Sequence, residues 1–222
     1  MANGKHGTVK RLALPPLYVI LDAALLPSDP TEFLKRLLDA GAFWFQYRNK
    51  TSSSRELLHA SQALCVTARQ EKATFVVNDR PDIARLVGAS GVHVGQEDLN
   101  VSAARAVVGN DAILGVSTHN LEQFRTAAES DADYIAVGPI FETRSKAKSD
   151  PVVGLDLIRE TRQLTSKPIV AIGGITLERA ASVMHAGADC VAVIRDILAA
   201  KNPASRVKQY LEMLPAVPPA GN

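Results

Sequence analysis

Charged and amide side chains follow several short apolar runs of this chain, and their types suit phosphate groups and a divalent metal. Gln46, Arg48 and Lys50 follow the run FWF. Alternate residues of a strand point to the same side, so these three would share one side while Tyr47 faces the other. Two cations at one strand end favour a phosphate or pyrophosphate, with a solvated basic rim as the alternative.

Two carboxylates follow the next two apolar runs. Asp79 stands in NDR after TFVVN, and Asp98 stands in GQED after GVHV. Adjacent strands lie about 5 Å apart, so both carboxylates could reach one point. Hard oxygen ligands of this kind are those that Mg²⁺ prefers. Alternatively, each aspartate could cap the helix that follows it.

Two histidines lie near the same positions. His93 lies inside the run GVHV, where a hydrogen-bonded core residue is expected more often than a catalyst. His119 follows the fifth run and could orient a substrate phosphate or simply begin the next helix.

Two later segments carry features of a phosphate site. The longest loop runs from Pro139 to Val153 and offers the hydroxyls of Thr143 and Ser145 beside Lys146, a plausible clamp for a phosphate. The glycines of AIGGI, including Gly174, would let backbone N–H groups approach an anion, although a tight turn without a ligand is the alternative.

Alternating strands and helices must position these groups. The expected strands are 17–21, 43–48, 74–78, 91–94, 113–117, 134–138, 168–172 and 190–194, all short and rich in β-branched residues. The expected helices are 30–40, 54–70, 81–87, 101–108, 121–130, 155–165, 177–186 and 203–214. Eight such units predict an α/β fold, a single (β/α)8 TIM barrel, whose functional face lies at the carboxyl ends of the strands. An open doubly wound sheet is the alternative, but no GxGxxG follows the first strand.

Composition limits the classes of function. The 222 residues carry 25 Lys and Arg against 23 Asp and Glu, a net charge of +2 that gives no reason to expect nucleic acid. Apolar runs are too short for a membrane span, and Cys65 and Cys190 are too isolated for a disulfide scaffold or zinc site. We expect a flexible arm over 1–12, one catalytic barrel over 13–215, a flexible tail over 216–222 and a cytoplasmic location.

Six blocks together resemble the thiamine-phosphate synthase family over nearly the whole chain. They are QYRNK (46–50), NDRPDIA (78–84), GVHVGQEDL (91–99), GVSTH (115–119), DYIAVGPIFETRSK (133–146) and AIGGI (171–175). The resemblance implies an Mg²⁺-dependent transferase. It would join 4-amino-2-methyl-5-(diphosphooxymethyl)pyrimidine to 4-methyl-5-(2-phosphooxyethyl)thiazole, releasing thiamine phosphate and pyrophosphate by a dissociative substitution.

The resemblance also implies roles for residues. Asp79 and Asp98 would bind Mg²⁺, and the catalytic groups would be Arg48, Lys50, Ser117 and Lys146. Substrate contacts are expected from Gln46, Tyr47, Arg48, Asn49, Lys50, Asn78, Ser117, Thr143, Arg144, Ser145, Lys146, Gly174, Ile194 and Arg195. The chain departs from the family pattern at Ser145, where threonine is usual, and at Arg195, where serine is usual.

Other functions remain open at this point. A thiazole tautomerase would share the barrel but would not need the diphosphate and metal residues. A non-catalytic metabolite-binding barrel could keep every ligand contact. The sequence is compatible with a homo-oligomer and leaves the oligomeric state open.

Overall fold

A closed barrel of parallel strands organises the chain. The computed structural model describes residues 12–143 and 150–214, and within them eight strands pair in sequence order, β1 closing on β8. The strands are β1 (Leu17–Asp22), β2 (Trp44–Arg48), β3 (Thr74–Asn78), β4 (Gly91–Val94), β5 (Ile113–Thr118), β6 (Tyr134–Val137), β7 (Ile169–Ile172) and β8 (Cys190–Val193). The single (β/α)8 barrel is therefore confirmed.

Helices alternate with these strands around the barrel. They are α1 (Pro30–Asp39), α2 (Ser54–Gln70), α3 (Pro81–Val87), α4 (Val101–Val108), α5 (Leu121–Glu129), α6 (Gly154–Arg162), α7 (Leu177–His185), α8 (Arg195–Leu198) and α9 (Pro203–Met213). Within the residues described, no helix is long and apolar enough to cross a membrane.

Alternation along each strand divides the core into two layers. On β1, Leu17, Val19 and Leu21 pack outward against the helices, while Tyr18 and Ile20 point into the barrel. Side chains of successive strand residues point to opposite faces, so each strand contributes side chains to both layers. Its sequence is therefore almost continuously apolar. At the carboxyl ends the inward positions become polar, which places polar groups at the mouth of the barrel.

Polar caps set the starts of several helices. Asp29 accepts hydrogen bonds from the backbone N–H groups of Thr31 and Glu32, and Ser53 forms a reciprocal capping box with Glu56. Such caps satisfy N–H groups that the first turn leaves without partners. The expected helix over 155–165 instead spans Gly154–Arg162, and the short α8 was not expected because four residues show no helical period.

Candidate active site

A continuous cleft covers the mouth of the barrel. A central pocket on the barrel axis is lined by inward residues of all eight strands, among them Gln46, Asn78, His93 and Ser117. It shares Arg48, Asn78, His93 and Ser117 with a cavity of about 890 Å³ above β2 to β5. It shares Ile172, Ala192 and Ile194 with a cavity of about 500 Å³ above β7 and β8. The cleft therefore has two ends joined through its centre.

A buried carboxylate orients the first cation of the larger cavity. Arg48 Nη1 donates to Asp22 Oδ2 at 2.5 Å, and these side chains are only 17% and 10% exposed. Asp22 ends β1, where its other oxygen accepts from the N–H of Ala24. The guanidinium is thus held at the rim of the cleft, where its remaining N–H groups can face an anion.

Asp79 and Asp98 meet in the same cavity beside a second cation. Lys50 forms an ion pair with Asp79, and the Asp98 carboxyl lies within hydrogen-bonding reach of Asp79. Burial, with the neighbouring Asp98 adding to it, raises the pKa of Asp79 to about 6, although Lys50 opposes the shift. Two carboxylates held this close favour a cation between them.

Neither aspartate caps a helix, which removes the alternative that the sequence left open. Residue Arg80 occupies the cap position of α3, and the Asn100 side chain caps α4. Asp98 instead accepts from the N–H of Gly95 at 2.8 Å. Asp79 has φ of 63°, a left-handed conformation uncommon for residues other than glycine. Backbone strain of this kind concentrates at functional sites.

Polar inward residues form the floor of the central pocket. His93 Nε2 lies 2.8 Å from Ser117 Oγ, and His93 Nδ1 lies 3.0 Å from the Tyr134 hydroxyl. Gln46 Nε2 donates to the Tyr18 hydroxyl at 2.9 Å. His93 is therefore a hydrogen-bonded interior residue, as expected, and it also reaches the cleft.

His119 supports the wall of the cleft above β5 and β6. Its Nδ1 lies 2.5 Å from the carbonyl oxygen of Gly138, and its Nε2 lies 3.5 Å from Asp150 Oδ2. The residue thus connects the end of β5 to both ends of the loop that follows β6.

The smaller cavity is built on the two-glycine turn after β7. Its lining includes Thr143, Gly174, Ile194 and Arg195, together with Arg206 from α9. Gly174 has φ of +64°, and a Cβ there would lie 2.4 Å from the carbonyl oxygen of Glu142. Only glycine therefore lets the loop after β6 pack on this turn.

Arg179 of α7 holds the same turn from outside. Its Nη1 donates to the carbonyl oxygen of Gly174 at 2.9 Å, and its guanidinium lies 4.7 Å from the centre of the Phe141 ring. One side chain thus connects the turn after β7 with the loop after β6.

Some of the expected site residues do not line the cleft through their side chains. The Tyr47 ring packs in the outer layer, because its position on β2 alternates with Gln46 and Arg48. Asn49 borders the larger cavity, but its side-chain oxygen accepts from the N–H groups of Thr51 and Ser52. The expected contacts Arg144, Ser145 and Lys146 lie outside the described residues.

Comparison with known proteins agrees with this geometry. The family model described as thiamine monophosphate synthase matches residues 17–197, most of the chain. The chain belongs to this family. It is therefore a transferase of thiamine biosynthesis.

Individual members of the family align along almost their whole length. The chain is 49% identical over 208 residues to a thiamine-phosphate synthase from Koribacter versatilis, covering 91% of this chain and 97% of that one. A second, from Chlorobium phaeovibrioides, is 46% identical over 180 residues, covering 81% of this chain and 85% of that one. The solved thiamine phosphate pyrophosphorylase from Pyrococcus furiosus superposes with a TM-score of 0.80 at 33% identity, covering 88% and 93% of the two chains.

Four residues of the thiamine monophosphate synthase site were not expected from the sequence. Asp22 accepts a hydrogen bond from Arg48. Tyr18 and Tyr134 line the central pocket and hydrogen-bond to Gln46 and His93 respectively. Arg206 lines the smaller cavity. Asp22 directly follows the apolar run of the first strand, so its position at a strand end was a usable signal. No local signal marks Arg206, since it lies within α9 rather than at the end of a strand.

Proposed function

We propose that this protein joins 4-amino-2-methyl-5-(diphosphooxymethyl)pyrimidine to 4-methyl-5-(2-phosphooxyethyl)thiazole. The products are thiamine phosphate and pyrophosphate. The observation that carries the proposal is the two-ended cleft, which has a cation and carboxylate cluster at one end and a glycine turn at the other. Two phosphorylated substrates could lie with their phosphates at opposite ends and their rings meeting in the centre.

Arg48 and Lys50 would bind the diphosphate, since they are the Arg and Lys residues that line the larger cavity in the described part of the chain. Asp79 and Asp98 would hold Mg²⁺, which is commonly bound through one or two carboxylates, with phosphate oxygens and water completing its shell. The part of the chain described here contains no group of three or more His, Cys, Asp or Glu residues suited to a metal. A two-carboxylate site therefore fits Mg²⁺ that is shared with the substrate. When bound, Mg²⁺ supplies positive charge to the leaving diphosphate.

Gln46, Asn78 and Ser117 would position the pyrimidine over the barrel axis. The C–O bond to the diphosphate breaks with its electron pair leaving on the oxygen, and the electron-rich aminopyrimidine delocalises the positive charge on the methylene carbon. Arg48 and Lys50 stabilise the negative charge that develops on the diphosphate. No proton is transferred in this step, so Asp79 and Asp98 are assigned to the metal and not to acid–base catalysis.

The thiazole phosphate would occupy the other end of the cleft. Thr143, Gly174, Ile194 and Arg195 line that cavity. Backbone N–H groups at Gly174 and Ile194, the Thr143 hydroxyl and the Arg195 guanidinium would bind the phosphate there. The thiazole nitrogen attacks the methylene carbon with its own lone pair, so no base is required. Catalysis then rests on positioning and charge stabilisation. Ser145 and Lys146 are proposed from the family resemblance alone.

A two-product assay tests the proposal. Purified protein is mixed with both substrates and Mg²⁺, and thiamine phosphate and pyrophosphate are measured together. We expect equal amounts of the two products, dependence on Mg²⁺, and at least a 100-fold loss of kcat/KM in Asp79→Asn. The control Asp156→Asn makes the same chemical change on an exposed residue of α6 and should keep wild-type rates.

The negative outcomes are also informative. No product despite tight binding of the thiazole phosphate would overturn the synthase reaction in favour of a tautomerase or a binding protein. Product formation that is unaffected by Asp79→Asn or by a chelator would overturn the assigned metal site.

A further inference from the structure

A chain of hydrogen bonds crosses the barrel beneath the central pocket. Gln46 Nε2 donates to the Tyr18 hydroxyl at 2.9 Å, and the Tyr18 and Tyr134 hydroxyls lie 3.2 Å apart. The Tyr134 hydroxyl lies 3.0 Å from His93 Nδ1, and His93 Nε2 lies 2.8 Å from Ser117 Oγ. These five residues, named here the tyrosine relay, join β1, β2, β4, β5 and β6.

The relay is fixed in place by burial and ring packing. Tyr18 and Tyr134 are fully buried, and their rings meet edge to face at 6.2 Å. The Tyr134 ring stacks on the His93 imidazole at 5.5 Å and 22°. Burial raises the pKa of both tyrosines, so both hydroxyls keep their protons and remain hydrogen-bond donors.

Each hydroxyl has one hydrogen, and a buried hydroxyl hydrogen needs an acceptor. Gln46 donates to Tyr18, so the arrangement that leaves no buried hydroxyl hydrogen without an acceptor has Tyr18 donating to Tyr134 and Tyr134 donating to His93 Nδ1. An imidazole that accepts at Nδ1 carries its hydrogen on Nε2, which then donates to Ser117 Oγ. The hydrogen of Ser117 is left to point into the cleft.

We propose that Tyr18 and Tyr134 are positioning residues that act through His93 to present the Ser117 hydroxyl as a hydrogen-bond donor to the pyrimidine substrate. The acceptor is a ring nitrogen or phosphate oxygen of that substrate. The relay itself does not depend on which reaction occurs, but the identity of the acceptor rests on the proposed function.

Gly115 shows that the fold makes room for this arrangement. It lies inside β5, beside Tyr134 in the register of β5 and β6. A Cβ at Gly115 would lie 2.1 Å from Cζ and 2.4 Å from the hydroxyl oxygen of Tyr134. A glycine inside a strand lacks side-chain packing, and its use here allows the phenol to cross the barrel.

Nitrogen NMR of the full-length protein without substrate tests the direction of the relay. At pH 8 we expect the Nε2–H tautomer for His93, with its signals assigned by their loss in His93→Gln. In Tyr134→Phe, which keeps the ring but lacks the donor, the Nδ1–H form should gain population. An Nδ1–H tautomer in the wild type, or an unchanged tautomer in Tyr134→Phe, would overturn the proposal.

Kinetics test the effect of the relay on the substrate. Tyr134→Phe should raise KM for the pyrimidine diphosphate about tenfold, the loss expected for one misdirected hydrogen bond, and change KM for the thiazole phosphate much less. Thr161→Val is the matched control, since it removes a buried hydroxyl of α6 that lines neither cavity nor the central pocket. Equal changes in both KM values would indicate a general packing defect and count against positioning.

The two experiments separate this proposal from the proposed reaction. The Nε2–H tautomer without synthase activity would support the relay and overturn the proposed function. Synthase activity with the Nδ1–H tautomer would support the proposed function and overturn the relay. If Tyr134→Phe does not fold, Tyr18→Phe interrupts the same chain one residue earlier and should shift the tautomer in the same direction.

Discussion

At the scale of single residues, the diphosphate end of the cleft consists of cations that are already paired. Arg48 bonds Asp22 and Lys50 pairs with Asp79, so each cation already has a carboxylate partner, and the Arg48 pair is the more buried of the two. Fixed charges need little rearrangement when negative charge develops on a leaving group. The partners of the cations therefore matter as much as the cations.

Asp22→Asn tests how much the negative charge of Asp22, rather than its shape, contributes to holding Arg48. Asparagine keeps an oxygen to accept from the N–H of Ala24 but loses the negative charge facing the guanidinium. We expect the free energy of unfolding to fall by about 2 kcal/mol, as for a hydrogen bond to a charged group, and KM for the pyrimidine diphosphate to rise. Urea denaturation and steady-state kinetics measure the two effects. An exposed pair provides the control, since Asp156→Asn should change stability by less than about 0.5 kcal/mol.

Asp79→Asn should stabilise the metal-free protein while it lowers kcat/KM at least 100-fold. The folded state raises the pKa of Asp79 to about 6, so above that pH the ionised carboxylate is less favourable in the folded chain than in the unfolded one. Asparagine removes this penalty, loses the Lys50 pair, and tolerates the left-handed φ. We expect a net gain of about 1 kcal/mol at pH 7.5 without Mg²⁺, measured by urea denaturation.

Asp79→Ala is the comparison for that experiment. Alanine also removes the charge but does not tolerate φ of 63° as well, so it should be about 1 kcal/mol less stable than asparagine. A loss of stability in Asp79→Asn would show that the Lys50 pair outweighs the cost of burial.

At the scale of elements, the loop after β6 and the turn after β7 behave as one unit. The carbonyl of Glu142 and the Cβ of Phe141 occupy the space that a side chain at Gly174 would need, and Arg179 bonds the turn and stacks on the loop. The shape of the thiazole end therefore depends on contact between segments more than 30 residues apart.

Gly174→Ala should push the loop after β6 away from the turn after β7. Both the positive φ and the 2.4 Å approach to the Glu142 carbonyl oppose a methyl group, so we expect KM for the thiazole phosphate to rise at least tenfold. Gly154→Ala is a close control, because Gly154 has φ of +71° but no atom within 4 Å of the added methyl. Similar KM values in the two variants would attribute the effect to backbone strain alone.

The elements were largely predictable because each carries a local pattern. Apolar runs and helical spacing placed all eight strands and the helices that cover them within a few residues. The four-residue α8 was missed because it is too short for periodicity to appear. The tyrosine relay was also missed, because His93 and Tyr134 are 41 residues apart and nothing local to either residue indicates their contact. Strand ends thus show which residues face the cleft, but not what supports them.

At the scale of the whole molecule, the two ends of the cleft should bind their ligands separately. Among the residues that the structure describes, the two cavities share no lining residue, although the central pocket and a cavity beside the loop after β6 border both of them. Each end can therefore be tested with a fragment of the reaction, pyrophosphate with Mg²⁺ at one end and the thiazole phosphate at the other.

Thermal unfolding with each ligand tests this separation. Pyrophosphate with Mg²⁺ at about 100 times its Kd should stabilise the wild type by about 2.7 kcal/mol, and it should stabilise Asp79→Asn far less. The thiazole phosphate should stabilise both proteins equally. Loss of both responses in Asp79→Asn would show that the two ends are coupled.

Barrel closure also places both ends of the described chain on the face opposite the cleft. Leu14 packs with Trp44 at the start of β2, and Leu211 in the last turn of α9 lies against Gly41 before the same strand. A fluorescent label or affinity handle joined through a linker at Leu12 or Leu214, the ends of the described residues, would start from the face opposite the cleft. Immobilised or fused forms of the enzyme should therefore keep open access for substrates.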